Sequence, residues 1–106
     1  MTVVDVLRRA RALVARGWTQ QCFARTANGW PADPRSSLAQ EWCMFGALEA
    51  AGADQYFDYS SLKIIGDIDW NDAPGRRQAV ADWNDVPGRT QAEVLAAFDA
   101  AIEAAS

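Results

Sequence analysis

Between Asp69 and Ala92 the chain reads DWNDAPGRRQA and then DWNDVPGRTQA, eleven residues repeated thirteen positions on, differing only at Ala73/Val86 and Arg77/Thr90. Each copy carries a Pro-Gly pair, Pro74-Gly75 and Pro87-Gly88. Proline removes a backbone donor and keeps the preceding residue out of the helical region, while glycine opens conformations other residues avoid. No long helix and no continuous strand can therefore cross either pair. A period of thirteen is also shorter than the roughly 20–50 residues of a stacking repeat unit. This stretch must be short pieces joined by turns, and the long elements must lie on either side of it.

The two copies have different neighbours. In the second, Val86 is held extended before Pro87, Pro87-Gly88 supplies a turn, and Thr90 with Glu93 forms a capping box that starts a helix. The first has Arg77 and Val80 at those cap positions, so it is expected to be a loop with at most one helical turn after it. A tandem duplication absorbed by a tolerant loop would explain it. Trp83, tied to the start of a helix, is expected to be more buried than Trp70. A functional reading stands beside this one. Trp70, Asn71, Asp72 and Arg76, and again Trp83, Asn84, Asp85 and Arg89, would form two loops that each offer an aromatic face, an amide, a carboxylate and a guanidinium to a ligand or partner. Asn and Asp before Pro-Gly commonly bond their own backbone, so scaffold is favoured over site.

Away from the repeat the pattern is helical. Over residues 3–16 Val3, Val6, Leu7, Ala10, Leu13 and Val14 recur at helical spacing, with Thr2 as N-cap, Gly17 at the end and four arginines off the stripe. Residues 37–51 are apolar all round and read as a buried helix, in which Gly46 and Ala47 leave room for a passing backbone. Ser60 or Ser61 opens a short third helix through Ile65. Residues 91–105 carry Val94, Leu95, Phe98, Ala101, Ile102 and Ala105 on one face. Asn28-Gly29 signals a tight turn in a small hairpin or loop between the first two helices. The expected fold is one mainly α domain over residues 1–106, a compact bundle of three to four helices with a hairpin or loop insertion.

Composition narrows function by exclusion. The chain has no histidine, which removes Ser-His-Asp and Cys-His catalysis and the usual histidine zinc sites. Lys63 follows no glycine-rich phosphate loop. Asp67, Asp69 and Asn71 suggest a calcium loop, but Asp72 replaces its glycine and Gln78 its closing glutamate, so no metal is expected. No cofactor and no catalytic residue is indicated. The net charge of −4 disfavours nucleic acid, and no apolar run is long enough for a membrane span. Residues 1–40 carry six arginines against two aspartates, four of the arginines on the first helix, and that basic helix is expected to dock on the acidic remainder. Cys22 and Cys43, with no export signal in view, are expected to be thiols of a cytoplasmic protein, Cys43 a buried one.

Gly17-Trp18, FARTANG at 23–29, WCMFGAL at 42–48 and WNDVPGRTQAEVLAAFDAAI at 83–102 together resemble a family of small bacterial and bacteriophage proteins of unknown function, whose members share spaced G-W, W-C-x-x-G-A-L and W-N-D-x-P-G-R-T elements. The resemblance runs from Val4 to about Ala105 and implies no activity or cofactor. Cys22, where a glycine is usual, and the extra copy at Trp70 depart from the pattern, and the second departure fits a local duplication. The expectation is a non-enzymatic accessory or regulatory domain that binds another protein, its hot spots being Trp18, Trp30, Trp70 and Trp83, with self-association also open. The alternative is a small-ligand or hydrolytic domain with Asp85 as base, Arg89 as anion holder and Trp83 as wall.

Overall fold

A computed structural model of the chain describes residues 2–68, 70 and 75–106, except the side chain of Arg76. The described elements run in the order α1 (Val3–Arg16), β1 (Ala24–Thr26), β2 (Ala39–Trp42), α2 (Met44–Ala50), a short 3-10 helix (Ser60–Ile64), α3 (Arg76–Asn84) and α4 (Gln91–Ala105). Helices dominate, with one small antiparallel sheet of two strands.

The two long helices start as their sequences dictate. Thr2 accepts from the Asp5 amide while Asp5 accepts from the Thr2 amide, and Thr90 and Glu93 repeat the arrangement on α4. Their apolar stripes meet: Val6, Leu7, Ala10 and Val14 of α1 and Val94, Ala97, Phe98 and Ala101 of α4 are buried in one core with Met44 and Leu48 of α2. Burying a side chain such as Leu7 or Phe98 contributes about 1.5–3 kcal/mol. The basic face of α1 reaches α4 through Arg11 and Asp99, 2.6 Å apart, in a pair exposed enough to add at most ~1 kcal/mol.

The expected helix over 37–51 is only half a helix. Ala39–Trp42 is extended, because its backbone is used twice. On one side it pairs with β1, with Ala24 opposite Trp42 and Arg25 opposite Glu41. On the other the Trp42 amide donates to the Gly17 carbonyl and its carbonyl accepts from Thr19. The helix begins only at Met44, where the Cys43 thiol stands in for a hydroxyl cap and accepts from the Gly46 amide at 3.2 Å. Gly46 does admit a close backbone: a Cβ there would overlap the Phe23 carbonyl. The Asn28-Gly29 turn is present, with Gly29 at φ 85° and the Thr26 amide donating to the Trp30 carbonyl. It folds Pro31 back beside Arg25 in a single bridge.

The larger correction concerns the repeat. The first copy does not end in a loop with one helical turn. Its Arg76–Ala79 and the Asp82–Asn84 of the second copy belong to the same nine-residue helix, α3. Gly75 gives that helix no side-chain cap, so its start has no signature in the sequence. Burial of Ala79, Val80, Ala81 and Trp83 supplies what the cap does not.

Candidate functional site

The WND residues of the second copy sit where α3 ends. Asn84 is fully buried and its amide makes four hydrogen bonds. Oδ1 accepts from Trp18 Nε1 at 2.8 Å and from the Met44 amide at 3.0 Å. Nδ2 donates to the Thr19 carbonyl at 3.1 Å and to Asp85 Oδ1 at 3.0 Å. One side chain thus fastens the end of α3 to the start of α2 and to the loop after α1. Asp85 Oδ1 also accepts from the Gln21 amide, and Gln21 is held at φ 72°, the one non-glycine positive φ among the described residues. Gln20 adds bonds to the carbonyls of Asn84 and Val86.

Arg89 faces a different way. Its guanidinium lies 4.0 Å over the Trp83 ring, Nε donates to the Trp83 carbonyl at 3.0 Å, and Nη1 reaches Glu93 at 3.3 Å. Trp83 is buried beneath it. Asn84 is therefore spent on the chain and Arg89 on Trp83 and Glu93, whereas the half-buried Asp85 borders a surface depression.

In the first copy Trp70 is half-buried and packs edge-on against Tyr59 at 6.4 Å, so Trp83 is the more buried of the two, as expected. Asn71 and Asp72 lie outside the described residues, as does the side chain of Arg76. Of the four loop tryptophans, Trp18 is half-buried on Asn84 and Trp30 alone stands in solvent, 70% exposed. The indole N–H groups of Trp70 and Trp83 are buried with no partner among the described residues.

The open surface lies elsewhere, along the seam between the hairpin, α2 and the start of α3. A depression of about 730 Å³ there has Phe23, Phe45, Phe57 and Tyr59 in its walls and Asp33, Glu49, Asp54 and Arg77 around it. It shares Phe45, Glu49, Asp54 and Tyr59 with a second depression of about 380 Å³, and Phe23, Ala32 and Gln78 with a third of about 420 Å³ that ends at Asp85, Cys22 and Cys43. The three form one trough. Phe23 and Phe45 meet edge to face at 5.2 Å, Phe57 and Tyr59 at 4.9 Å, and Phe23 remains 46% exposed. None of this was legible as a motif, since the four rings come from three segments.

Chemically the trough offers surfaces more than reagents. Both cysteines are free, and burial pushes the Cys43 thiol up to about 11, so it is a thiol and not a thiolate at neutral pH. Among the described residues no three His, Cys, Asp or Glu side chains gather as a metal site, and no helix is long and apolar enough to cross a membrane. The family model described as "Family of unknown function (DUF6197)" matches residues 1–104, and the chain belongs to that family. No curated protein and no solved structure matches it.

Proposed function

We propose that this member of the DUF6197 family is a non-enzymatic accessory domain of the cytoplasm that acts by binding another protein through the aromatic trough. The observation that carries the reading is the continuity of the trough: three joined depressions with aromatic walls, bordered by an exposed Phe23. Aromatic anchors at the centre of an apolar, rimmed surface are where protein interfaces concentrate their energy. A trough made of linked shallow parts suits an extended segment of a partner better than a compact small molecule, which prefers one deep enclosure.

The small-ligand alternative keeps one observation in its favour, Asp85 at the end of the third depression. Against it, Arg89 is committed to Trp83 and Glu93, so base and anion holder do not converge.

Affinity capture from the native host tests the reading, with the wild-type chain, Phe23→Ala and Leu38→Ala as baits. Leu38 is 68% exposed and outside the trough, so its variant controls for general stickiness. A partner retained by wild type and Leu38→Ala and lost by Phe23→Ala is expected. A partner indifferent to Phe23, or none at all, overturns it. A second copy of the chain as the partner would appear as a dimer in sedimentation that Phe23→Ala dissociates.

A further inference from the structure

We propose that the segment the trough accepts is a basic one, an extended stretch in which Arg or Lys alternates with apolar side chains. The inference rests on the protein-binding reading above and adds the chemistry of the partner. Among the described residues, four carboxylates border the linked depressions, those of Asp33, Glu49, Asp54 and Asp85, against the guanidinium groups of Arg35 and Arg77. Arg35 meets Glu49 at 3.1 Å, and those two charges offset one another.

Asp33 and Asp54 are exposed and set differently. Each uses one oxygen to accept a backbone amide two residues on, Arg35 at 2.8 Å and Tyr56 at 2.9 Å, which fixes the carboxylate on its own turn. The second oxygen of each has no partner among the described residues. A preorganised carboxylate with a spare oxygen is a ready acceptor for a guanidinium or ammonium. Between the acids stand the exposed ring of Phe23 and the half-buried ring of Phe57, backed by the buried Phe45 and Tyr59, and such accessible aromatic faces take apolar side chains and also attract cations. An extended chain alternates its side chains between two faces, so one set can meet the aromatic floor and the other the acidic rim. The net charge of −4 draws a basic segment in and repels an acidic one.

The test is selection of a random twelve-residue peptide display library on the full chain. The selected peptides are then synthesised and titrated against wild type, Phe23→Ala and the pair Asp33→Asn/Asp54→Asn, with circular dichroism confirming that each variant is folded. Basic peptides are expected, weakened on the order of tenfold by Phe23→Ala and severalfold by the Asn pair, with the Asn pair also flattening the salt dependence. Neutral or acidic peptides that still lose affinity with Phe23→Ala would overturn the basic-segment assignment and leave the trough as a binding surface. Peptides indifferent to Phe23→Ala, or no selection at all, would overturn the trough and the assignment together.

Discussion

Trp70 and Trp83 hold the same place in two nearly identical strings and live in different surroundings. Trp83 is buried on the last turn of α3 under the Arg89 guanidinium, while Trp70 is half-buried in a turn against Tyr59. The strings do share a task further along. In each, a Pro-Gly pair is followed at once or within a few residues by a helix, α3 after Gly75 and α4 after Gly88. What distinguishes the copies is how those helices are secured. α4 has a capping box and fifteen residues, whereas α3 has no side-chain cap and nine residues, and relies on burial and on Asn84 at its far end. Nearly identical strings thus both lead into a helix after their Pro-Gly glycine, and the tertiary neighbours decide which copy also ends a helix in a fastening.

The sharpest way to break this comparison is to remove one period. Deleting residues 69–81 leaves a single complete copy, and if the first copy were a tolerated insertion the protein would stay folded. Because the deletion takes out Ala79, Val80 and Ala81, all buried, and most of α3, it is expected to abolish cooperative unfolding in thermal denaturation. A sharp melting transition near that of the full chain would restore the insertion reading.

Truncating the two tryptophans separately measures how unequal the copies are. Trp83→Ala should cost ~4 kcal/mol, as for a fully buried aromatic, and Trp70→Ala about half of that, given its partial exposure. Urea unfolding of both variants compares them directly. Equal losses would mean that the first copy is as deeply integrated as the second.

Much of this was legible beforehand and some was not, for reasons that attach to particular residues. α1 and α4 announce themselves because capping box, stripe and terminator agree. The Asn28-Gly29 turn is equally local, since only a few residues decide it. Ala39–Trp42 misleads because in Ala-Gln-Glu-Trp only Trp42 has a strand preference; its backbone is recruited from both sides by Gly17, Thr19 and β1, partners remote in sequence. α3 hides because its start is an uncapped glycine and its end spells a turn motif, Trp-Asn-Asp before Pro-Gly. The role of Asn84 was half visible: its residue type suggested a polar contact, but the contacts lie some forty to sixty-five positions away. The trough was not visible at all, being assembled from rings on separate segments.

Asn84 gives the next test in size. Asn84→Ala leaves the Trp18 indole N–H, the Met44 amide and the Thr19 carbonyl without this partner at a buried junction, an expected loss of ~3 kcal/mol. Hydrogen exchange should show the damage at the start of α2 and the loop at 18–21 before α1 and α4 respond. Uniform loss of protection across the chain would mean that Asn84 is not a local fastening.

The smallest effect separates the two helix starts. Thr90→Ala removes the hydroxyl that accepts from the Glu93 amide at 3.2 Å and should cost ~1 kcal/mol, whereas Arg77→Ala, its counterpart in the first copy, caps nothing and should cost less than half of that. The pH dependence gives the Thr90 result a second readout. Hydrogen bonds from the Thr90 side chain and then its backbone hold the Glu93 carboxyl below the usual glutamate range. A carboxyl lowered in the folded state contributes stability that is present above its unfolded pKa and is lost as pH falls through the folded one. Without the hydroxyl the depression shrinks, so the gap in melting temperature between wild type and Thr90→Ala should be widest near neutrality and narrow as pH falls through the lowered pKa of Glu93 and the carboxylate takes up its proton. Arg77→Ala should show no such narrowing, and a gap for Thr90→Ala that stayed constant from neutrality into acid would mean that the Glu93 carboxylate is no part of what secures α4.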